Sequence, residues 1–135
     1  MIGEVLDEFS LQKKVLEILD FKITTSLHEP ATADVEAIAF GKKVRFKHQG
    51  VGPVDACISS LREGLKIQDV LEVKLSDYYV EIDTRGTDAA VEVKMTLMDK
   101  NGNSVIARTT SPDIIVASLK AYEKGFNILY SKVKP

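Results

Sequence analysis

The first residues of the chain have apolar side chains at spacings typical of a helix. Between Glu4 and Leu19 these side chains recur three or four positions apart, while Lys14 and Glu17 fall outside the stripe. The apolar positions are Val5, Leu6, Phe9, Val15, Leu16 and Leu19. The pattern predicts one amphipathic helix over residues 4–19.

After this stripe the apolar period changes to two, which is typical of strands. Apolar and polar residues alternate from Phe21 to Thr25, and again from Ala33 to His48 around a Gly41-Lys42 turn. The Gly50-Val51-Gly52-Pro53 loop then leads into a helical face. Its apolar positions are Val54, Cys57, Ile58, Leu61 and Leu65. Residues 20–66 are therefore predicted to form a βββα unit.

The second half of the chain repeats this arrangement. Strands are predicted at about 70–83, 89–98 and 105–109, and Leu71–Leu75 corresponds to Leu19–Ile23. Pro112 opens a helix whose apolar positions match those of the first helix at a constant offset of 61 residues. Residues 70–133 are thus a second βββα unit. We predict a single α+β domain over residues 1–135, in which two βββα units are related by a pseudo-twofold axis and preceded by the N-terminal helix.

The composition is that of an ordinary globular protein without an excess of positive charge. Hydrophobic residues make up 44% of the 135 positions, and 18 Lys and Arg stand against 20 Asp and Glu. A nucleic-acid partner is not expected, because nonspecific binding needs a surface of one sign. The chain has no run of about 18 apolar residues, which a membrane span requires. Glu4, Asp7 and Glu8 are unlike a secretory signal, and the lone Cys57 fits a reducing compartment, so we expect a cytoplasmic protein.

Few residues are suited to catalysis or metal binding. His28 and His48 are the only histidines, and neither has the spacing of a metal motif or a partner for a nucleophilic triad. The basic run Lys42–His48 alternates with apolar residues, which predicts a half-exposed strand with a cationic outer side. No catalytic residue, metal site or cofactor is therefore predicted.

The two loops that precede the helices carry the most informative residues. In Gly50-Val51-Gly52-Pro53-Val54-Asp55 the glycines permit close backbone approach, and the free N–H groups of a first helical turn suit a carboxylate. Ser111-Pro112-Asp113 repeats the arrangement, with Ser111 as the expected N-cap. Asp55 either complements the helix dipole or accepts from a ligand ammonium group. Ordinary helix capping and a ligand site both remain open on these residues.

The same residues resemble a known family. Gly50-Val51-Gly52-Pro53-Val54-Asp55-Ala56 is similar to the G-x-G-P-V-D-A signature of the C-terminal regulatory domain of 2-isopropylmalate synthase and citramalate synthase. The stretch from Ser111 to Tyr122, with Asn127 following, resembles the S-x-D-I-I-x-A-S-x-x-A-Y-x-x-x-x-N pattern of that domain. Gly86–Ala89 and Leu75–Tyr78 match two further stretches, so the resemblance covers nearly the whole chain.

This resemblance implies a dimer that binds leucine or isoleucine and inhibits a separate acetyl-CoA-dependent catalytic barrel, in cis or in trans. It also implies that the chain has no catalytic activity of its own. The effector pocket of the family lies between the two units, near the dimer interface. By motif position its residues are Gly50, Gly52, Val54, Asp55, Leu75, Tyr78, Ile82, Thr87, Val91, Ser111, Pro112 and Asp113.

Some of the residues assigned to the effector pocket also have a structural explanation. Leu75, Ile82 and Val91 are apolar strand positions, which a plain core role would also explain. Tyr78 and Tyr79 are adjacent on a strand and so face opposite ways, and the motif favours Tyr78.

The second functional hypothesis is a dimerisation or docking subunit that has lost effector binding.

Overall fold

Two three-stranded antiparallel sheets, each followed by a helix, make up the computed structural model, which describes residues 14–67, 72–83 and 90–133. The first sheet contains β1 (Leu16–Thr24), β2 (Ala31–Ala39) and β3 (Lys42–Gly50), and α1 (Pro53–Ile67) follows it. The second sheet contains β4 (Val73–Asp83), β5 (Ala90–Asp99) and β6 (Ser104–Ser111), and α2 (Ile114–Val133) follows it. The predicted α+β fold of two βββα units is confirmed.

The predicted amino-terminal helix is wrong in its last part, because strand β1 begins at Leu16. Residues 4–13 of that prediction lie outside the described residues. A β-bulge lies between Ile18 and Asp20, so that Leu16 and Ile18 face the core before it and Phe21 faces the core after it. The bulge inserts one residue into the period of two. The inserted residue, Leu19, is apolar although it is 43% exposed, and this is why the strand gave the spacing of a helical stripe.

Strand β4 has a matching bulge between Leu75 and Asp77. Leu75 therefore corresponds to Ile18, and the predicted correspondence of Leu75 with Ile23 is wrong. The helix repeat holds at its predicted offset of 61 residues, since the first backbone hydrogen bonds are Ala56 N–H to Gly52 and Ala117 N–H to Asp113. Each unit thus repeats the other in detail, including an irregularity in its first strand.

Helix α1 packs on β2 and β3, and it lies close to the sheet because the residues beneath it are small. Every second residue of β2 from Ala31 to Ala39 is buried, and Val35 is the only one of these that is not Ala. Ser60 Oγ donates to the carbonyl of Ala33 at 3.1 Å. A Cβ atom at Gly64 would overlap the ring of Phe46, so this glycine permits the close approach.

Helix α2 packs on β5 and β6 and also contacts α1 and β1. The residues that β5 directs at it are larger than those of β2 and include Val93, Met95 and Leu97, all fully buried. Gly125 stands at the position of Gly64 in the repeat, where a Cβ would lie 2.9 Å from Leu97 Cδ1. One continuous apolar core joins both units. Neither of the two described helices is long and apolar enough to cross a bilayer.

The cationic outer side predicted for β3 has acidic neighbours. Arg45 lies 3.4 Å from Asp34 and 3.3 Å from Glu36, and Lys43 lies 3.8 Å from Glu36. These pairs are solvent-exposed, so each contributes little to stability. They offset the charges of Lys43 and Arg45 within the basic run Lys42–His48.

The hairpin between β5 and β6 is organised by the carboxylate of Asp99. Its Oδ1 accepts the backbone N–H groups of Asn101 and Asn103, each at 2.9 Å, and its Oδ2 accepts from the Asn103 side-chain amide at 3.0 Å. The Asn103 amide, together with these backbone donors, holds the pKa of Asp99 below its ordinary value against the opposing effect of burial. The turn is therefore stabilised by an ionised side chain.

Replacing Asp99 with Ala is expected to destabilise the protein at pH 7, and the difference from wild type should shrink as the pH falls. A carboxyl group with a lowered folded-state pKa stabilises the fold above its unfolded pKa of about 3.9. That contribution is lost as the pH falls through the folded-state pKa. Urea unfolding of both proteins between pH 7 and pH 3 measures the difference. Lys100→Ala in the same turn is the control, because its charge does not titrate in this range.

Candidate effector-binding site

The loop before α1 contains two glycines, one with no space for a Cβ atom and one with open space beside it. A Cβ atom at Gly50 would lie 2.6 Å from both Asp55 Oδ2 and the Cα of Ala56, so no side chain fits there. At Gly52 a Cβ atom would have nothing within 4 Å. The exposed Asp55 carboxylate accepts the N–H of Val51 at 3.0 Å and closes the loop onto the helix. Open space therefore adjoins the backbone at Gly52.

The start of α2 is capped by a different residue from the one expected. Asp113 Oδ1 accepts the N–H groups of Ile115 at 2.7 Å and Val116 at 3.1 Å, so Asp113 is the N-cap and the prediction of Ser111 is wrong. Ser111 Oγ accepts the N–H of Asp113 at 3.2 Å. Gly52 occupies the position of Asp113 in α1 and has no side chain to cap that helix. The two helix starts thus differ in how many backbone donors their own side chains occupy.

Several predicted site residues lie together at one end of the second sheet. Ile82 is paired with Val91 across β4 and β5, and Val91 is paired with Ser111 across β5 and β6. Pro112 and Asp113 follow directly. Ile82 is 58% exposed, so this end of the sheet presents an apolar side chain to its surroundings.

Tyr78 and Tyr79 face opposite sides of β4, as the alternation of strand residues requires. Tyr78 faces α2, and its hydroxyl lies 2.7 Å from Ser118 Oγ. Tyr79 is 53% exposed, with Lys94 Nζ 5.5 Å from its ring centre. The structure thus puts the side chain favoured by the motif on the covered face.

The structure does not bring all predicted residues to one place. Leu75 is seven positions before Ile82 on β4, which is about 23 Å along a strand. Val54 and Asp55 belong to α1, which packs on β2 and β3 and makes no comparable contact with β4 within the described ranges. Thr87 lies outside those ranges. One amino acid is too short to contact both Leu75 and Ile82 of the same chain.

A groove of about 280 Å³ between β1 and α2 was not predicted from the sequence. It contains none of the predicted site residues. Its lining residues are Lys14, Glu17, Ile18, Leu19, Asp20, Phe21, Val116, Leu119, Lys120 and Glu123. The bulged segment of β1 forms one wall and α2 forms the other, and the prediction of a helix over residues 4–19 concealed this arrangement.

Two side chains of α2 hold the start of β1. Asn127 Oδ1 accepts the N–H groups of Val15 at 2.9 Å and Leu16 at 2.8 Å, and Asn127 Nδ2 donates to the Leu16 carbonyl at 2.8 Å. Glu123 Oε1 accepts the N–H of Ile18 at 2.6 Å, and Glu123 Oε2 lies 3.4 Å from Lys14 Nζ. The sequence motif contains Asn127. A polar residue on a buried helix face needs hydrogen-bond partners, but the sequence does not indicate which backbone groups these are.

The potential nucleophile and bases of the described chain lie in unreactive surroundings. Cys57 is buried, and the loss of solvation raises the pKa of its thiol to about 11. Burial likewise raises the pKa of the Tyr122 hydroxyl. His28 and His48 are both exposed, and His48 Nδ1 lies 2.8 Å from the carbonyl of Gln49. These surroundings are those of structural side chains rather than of activated catalytic groups.

Comparison with known proteins identifies the family to which this chain belongs. The sequence model of the LeuA allosteric (dimerisation) domain matches residues 3–130. The chain belongs to this family. A probable 2-isopropylmalate synthase of Methanopyrus kandleri is 34% identical over 126 residues, which are 93% of this chain and 25% of that protein.

Citramalate synthases are among the similar proteins as well. A putative (R)-citramalate synthase of Methanothermobacter thermautotrophicus is 34% identical over 125 residues, or 92% of this chain and 24% of that protein. One from Methanoculleus marisnigri is 37% identical over 114 residues, or 84% of this chain and 22% of that protein. The LeuA-type domain described above thus spans about a quarter of the length of these relatives.

Proposed function

We propose that this chain is an allosteric regulatory domain that binds leucine or isoleucine and thereby inhibits a synthase catalytic part in branched-chain amino acid biosynthesis. The observation that carries the proposal is the match of the LeuA allosteric (dimerisation) domain to residues 3–130. The synthase names of the relatives supply the pathway. We assign no catalytic step to the chain itself, and its catalytic partner acts in cis or in trans.

The start of α1 has the chemistry that a free amino acid requires. First-turn N–H groups and the positive end of the helix dipole attract the ligand carboxylate, and the space beside Gly52 lets it approach the backbone. The exposed carboxylate of Asp55 is the acceptor for the ammonium group. Exposed Ile82 and its neighbour Val91 provide an apolar wall for the aliphatic side chain.

The pocket is completed by a second copy of the chain. Since α1 does not pack on β4, a homodimer in which α1 of one protomer approaches β4 of its partner would bring Asp55 and Ile82 to one ligand. The same arrangement would cover the half-buried apolar face of β4, which includes Leu75, Tyr78 and Val80. An isologous contact of this kind is the common form of a homodimer.

Light scattering at micromolar concentration is expected to give a mass of about twice the 14.9 kDa of one chain. Ile82→Glu places a charge on the face that we assign to the interface and should shift the mass towards one chain. Ile106→Glu is the matched control, because Ile106 is 60% exposed and belongs to β6. A single-chain mass for the wild type would contradict the homodimer.

Calorimetry is expected to show micromolar binding of leucine or isoleucine, which corresponds to about 8 kcal/mol. Asp55→Ala should weaken this binding about thirtyfold, because it removes a charged hydrogen-bond partner worth about 2 kcal/mol. Asp55→Asn retains an oxygen that can accept from Val51 N–H but has no charge, so it separates the capping role from ammonium binding.

We expect Asp55→Asn to weaken binding about tenfold without loss of stability. Glu63→Gln is the control, since it removes an exposed carboxylate elsewhere on α1. Equal affinity of the wild type and of folded Asp55→Asn would exclude the ammonium contact.

One observation favours a second candidate function, a dimerisation or docking subunit without an effector. Asp55 and Asp113 both accept hydrogen bonds from their own loops or helices, which explains their presence without a ligand. This candidate predicts no heat of binding for any branched-chain amino acid. It also predicts co-elution of the chain with a synthase catalytic part in gel filtration.

A further inference from the structure

Helix α2 connects two distant places in the fold. Its first turn follows Ser111, which is paired with Val91 of the apolar wall that we propose for the effector site, and its side chains Glu123 and Asn127 contact the start of β1. Asp113 and Asn127 are separated by about 21 Å of helix. Because a packed helix moves as a stiff body, a displacement of its first turn also displaces Asn127.

Glu123 and Asn127 take the place of a neighbouring strand. β1 is an edge strand of its sheet, and one side of it pairs with β2. On the other side, backbone groups of Leu16 and Ile18 are bonded to these two side chains of α2. The contact is buried at Asn127, so its loss would leave polar backbone groups without partners. The position of Val15–Ile18 is therefore sensitive to the position of α2.

This contact is specific to the second helix. At the repeat offset of 61 residues, Glu123 corresponds to Arg62 and Asn127 corresponds to Lys66. Cationic side chains of Arg and Lys donate hydrogen bonds but cannot accept them. Helix α1 therefore cannot hold the N–H groups of an edge strand in this way. The link is an addition to the βββα unit rather than a requirement of its packing.

We propose that Asn127, together with Glu123, couples occupancy of the effector site, whose apolar wall adjoins the start of α2 at Val91 and Ser111, to the position of residues 14–18. This inference rests on the proposed function, because it concerns the regulation of that same site. Asn127 is a positioning residue that touches no ligand. A bound effector fixes the wall at Val91 and the adjoining first turn of α2, α2 fixes Asn127, and Asn127 fixes the backbone of Val15 and Leu16.

Amide hydrogen exchange followed by NMR on the 135-residue chain tests this coupling. In the wild type, saturating leucine or isoleucine is expected to slow exchange at the amides of Leu16 and Ile18 about tenfold. In Asn127→Ala this ligand-dependent slowing should disappear, while the affinity for the ligand changes less than about threefold. A purely structural role would lower protection equally with and without ligand.

Two further variants keep the test decisive. Lys66→Ala, at the matching position of α1, should retain the full effect. Glu123→Ala leaves the contacts of Asn127 in place and should abolish the slowing at Ile18, which covers the case that Asn127→Ala does not fold. Ligand binding without any change of exchange at Leu16 and Ile18 in the wild type would overturn the coupling and leave the proposed function intact.

The absence of any bound amino acid would instead contradict the proposed function. The coupling is then measured with Asp113→Ala, which removes the hydrogen bonds that close the first turn of α2. Faster exchange at Leu16 in this variant is the expected result. Unchanged exchange at Leu16 would overturn the coupling independently of any ligand.

Discussion

Gly64→Ala is expected to lower the free energy of unfolding by about 3 kcal/mol. An exposed glycine in a helix would gain about 1 kcal/mol from the same change, so the expected sign is opposite to that of helix propensity. The reason is the ring of Phe46, which lies where the new methyl group would stand. Either α1 moves away from β2 and β3 or the ring leaves its place in the core. Urea unfolding of the two proteins measures the effect.

The second unit supplies the compensating change for this variant. The residue of β6 that corresponds to Phe46 is Ala107, and Gly125 there faces Leu97 and Ala107. Gly64→Ala combined with Phe46→Ala should therefore cost less than the sum of the two single changes, because the ring that obstructs the methyl group is gone. Gly52→Ala is the control, with open space around its Cβ. A neutral Gly64→Ala variant would show that α1 is free to shift.

Asn127→Leu is expected to be the most destabilising single change in α2, at about 4 kcal/mol. The leucine side chain has the same branched shape as asparagine, but it is larger and leaves two N–H groups and one carbonyl of Val15 and Leu16 without partners. Each unpaired buried group costs about 1–3 kcal/mol. The free energy of unfolding in urea measures the loss.

The control for this variant is Lys124→Ala on the same helix. It removes an exposed hydrogen bond from the Lys124 ammonium group to the carbonyl of Arg108 on β6. A loss below about 0.5 kcal/mol is expected there. If Asn127→Leu were as mild as Lys124→Ala, the start of β1 would be held by other contacts, and the hydrogen bonds of Asn127 would contribute little to the fold.

The period of the apolar residues was sufficient to predict most of the strands and helices. The strands after residue 30 and both helices follow patterns of two and of three to four residues, and their bounds differ from the prediction by a few positions. Periodicity failed at β1 because a bulge changes its phase, and no local rule distinguishes Leu16 and Leu19 on a bulged strand from two residues on a helix face. The strand is fixed instead by Asn127, more than 100 positions away.

The candidate site was less accessible to sequence reasoning than the fold. Motif spacing identified both helix starts, and the strand register brings Ile82, Val91 and Ser111 together as expected for a shared wall. The motif gives no information on which residues belong to one protomer, so Leu75 and Asp55 were assigned to one pocket although they lie on elements that do not pack together. The identity of the N-cap at Asp113 depended on loop geometry, which spacing alone does not fix.

The hydrogen bonds of Asn127 have a consequence for how the protein folds during its synthesis on the ribosome. β1 precedes the other described strands in the sequence, yet the side chains that bond to its free edge are carried by α2, 111 and 112 positions later. Until α2 has been synthesised, the edge of β1 therefore lacks the hydrogen-bond partners that Asn127 and Glu123 provide. Such an edge is a template for pairing with other chains, so a product truncated after α1 should aggregate where the full chain does not.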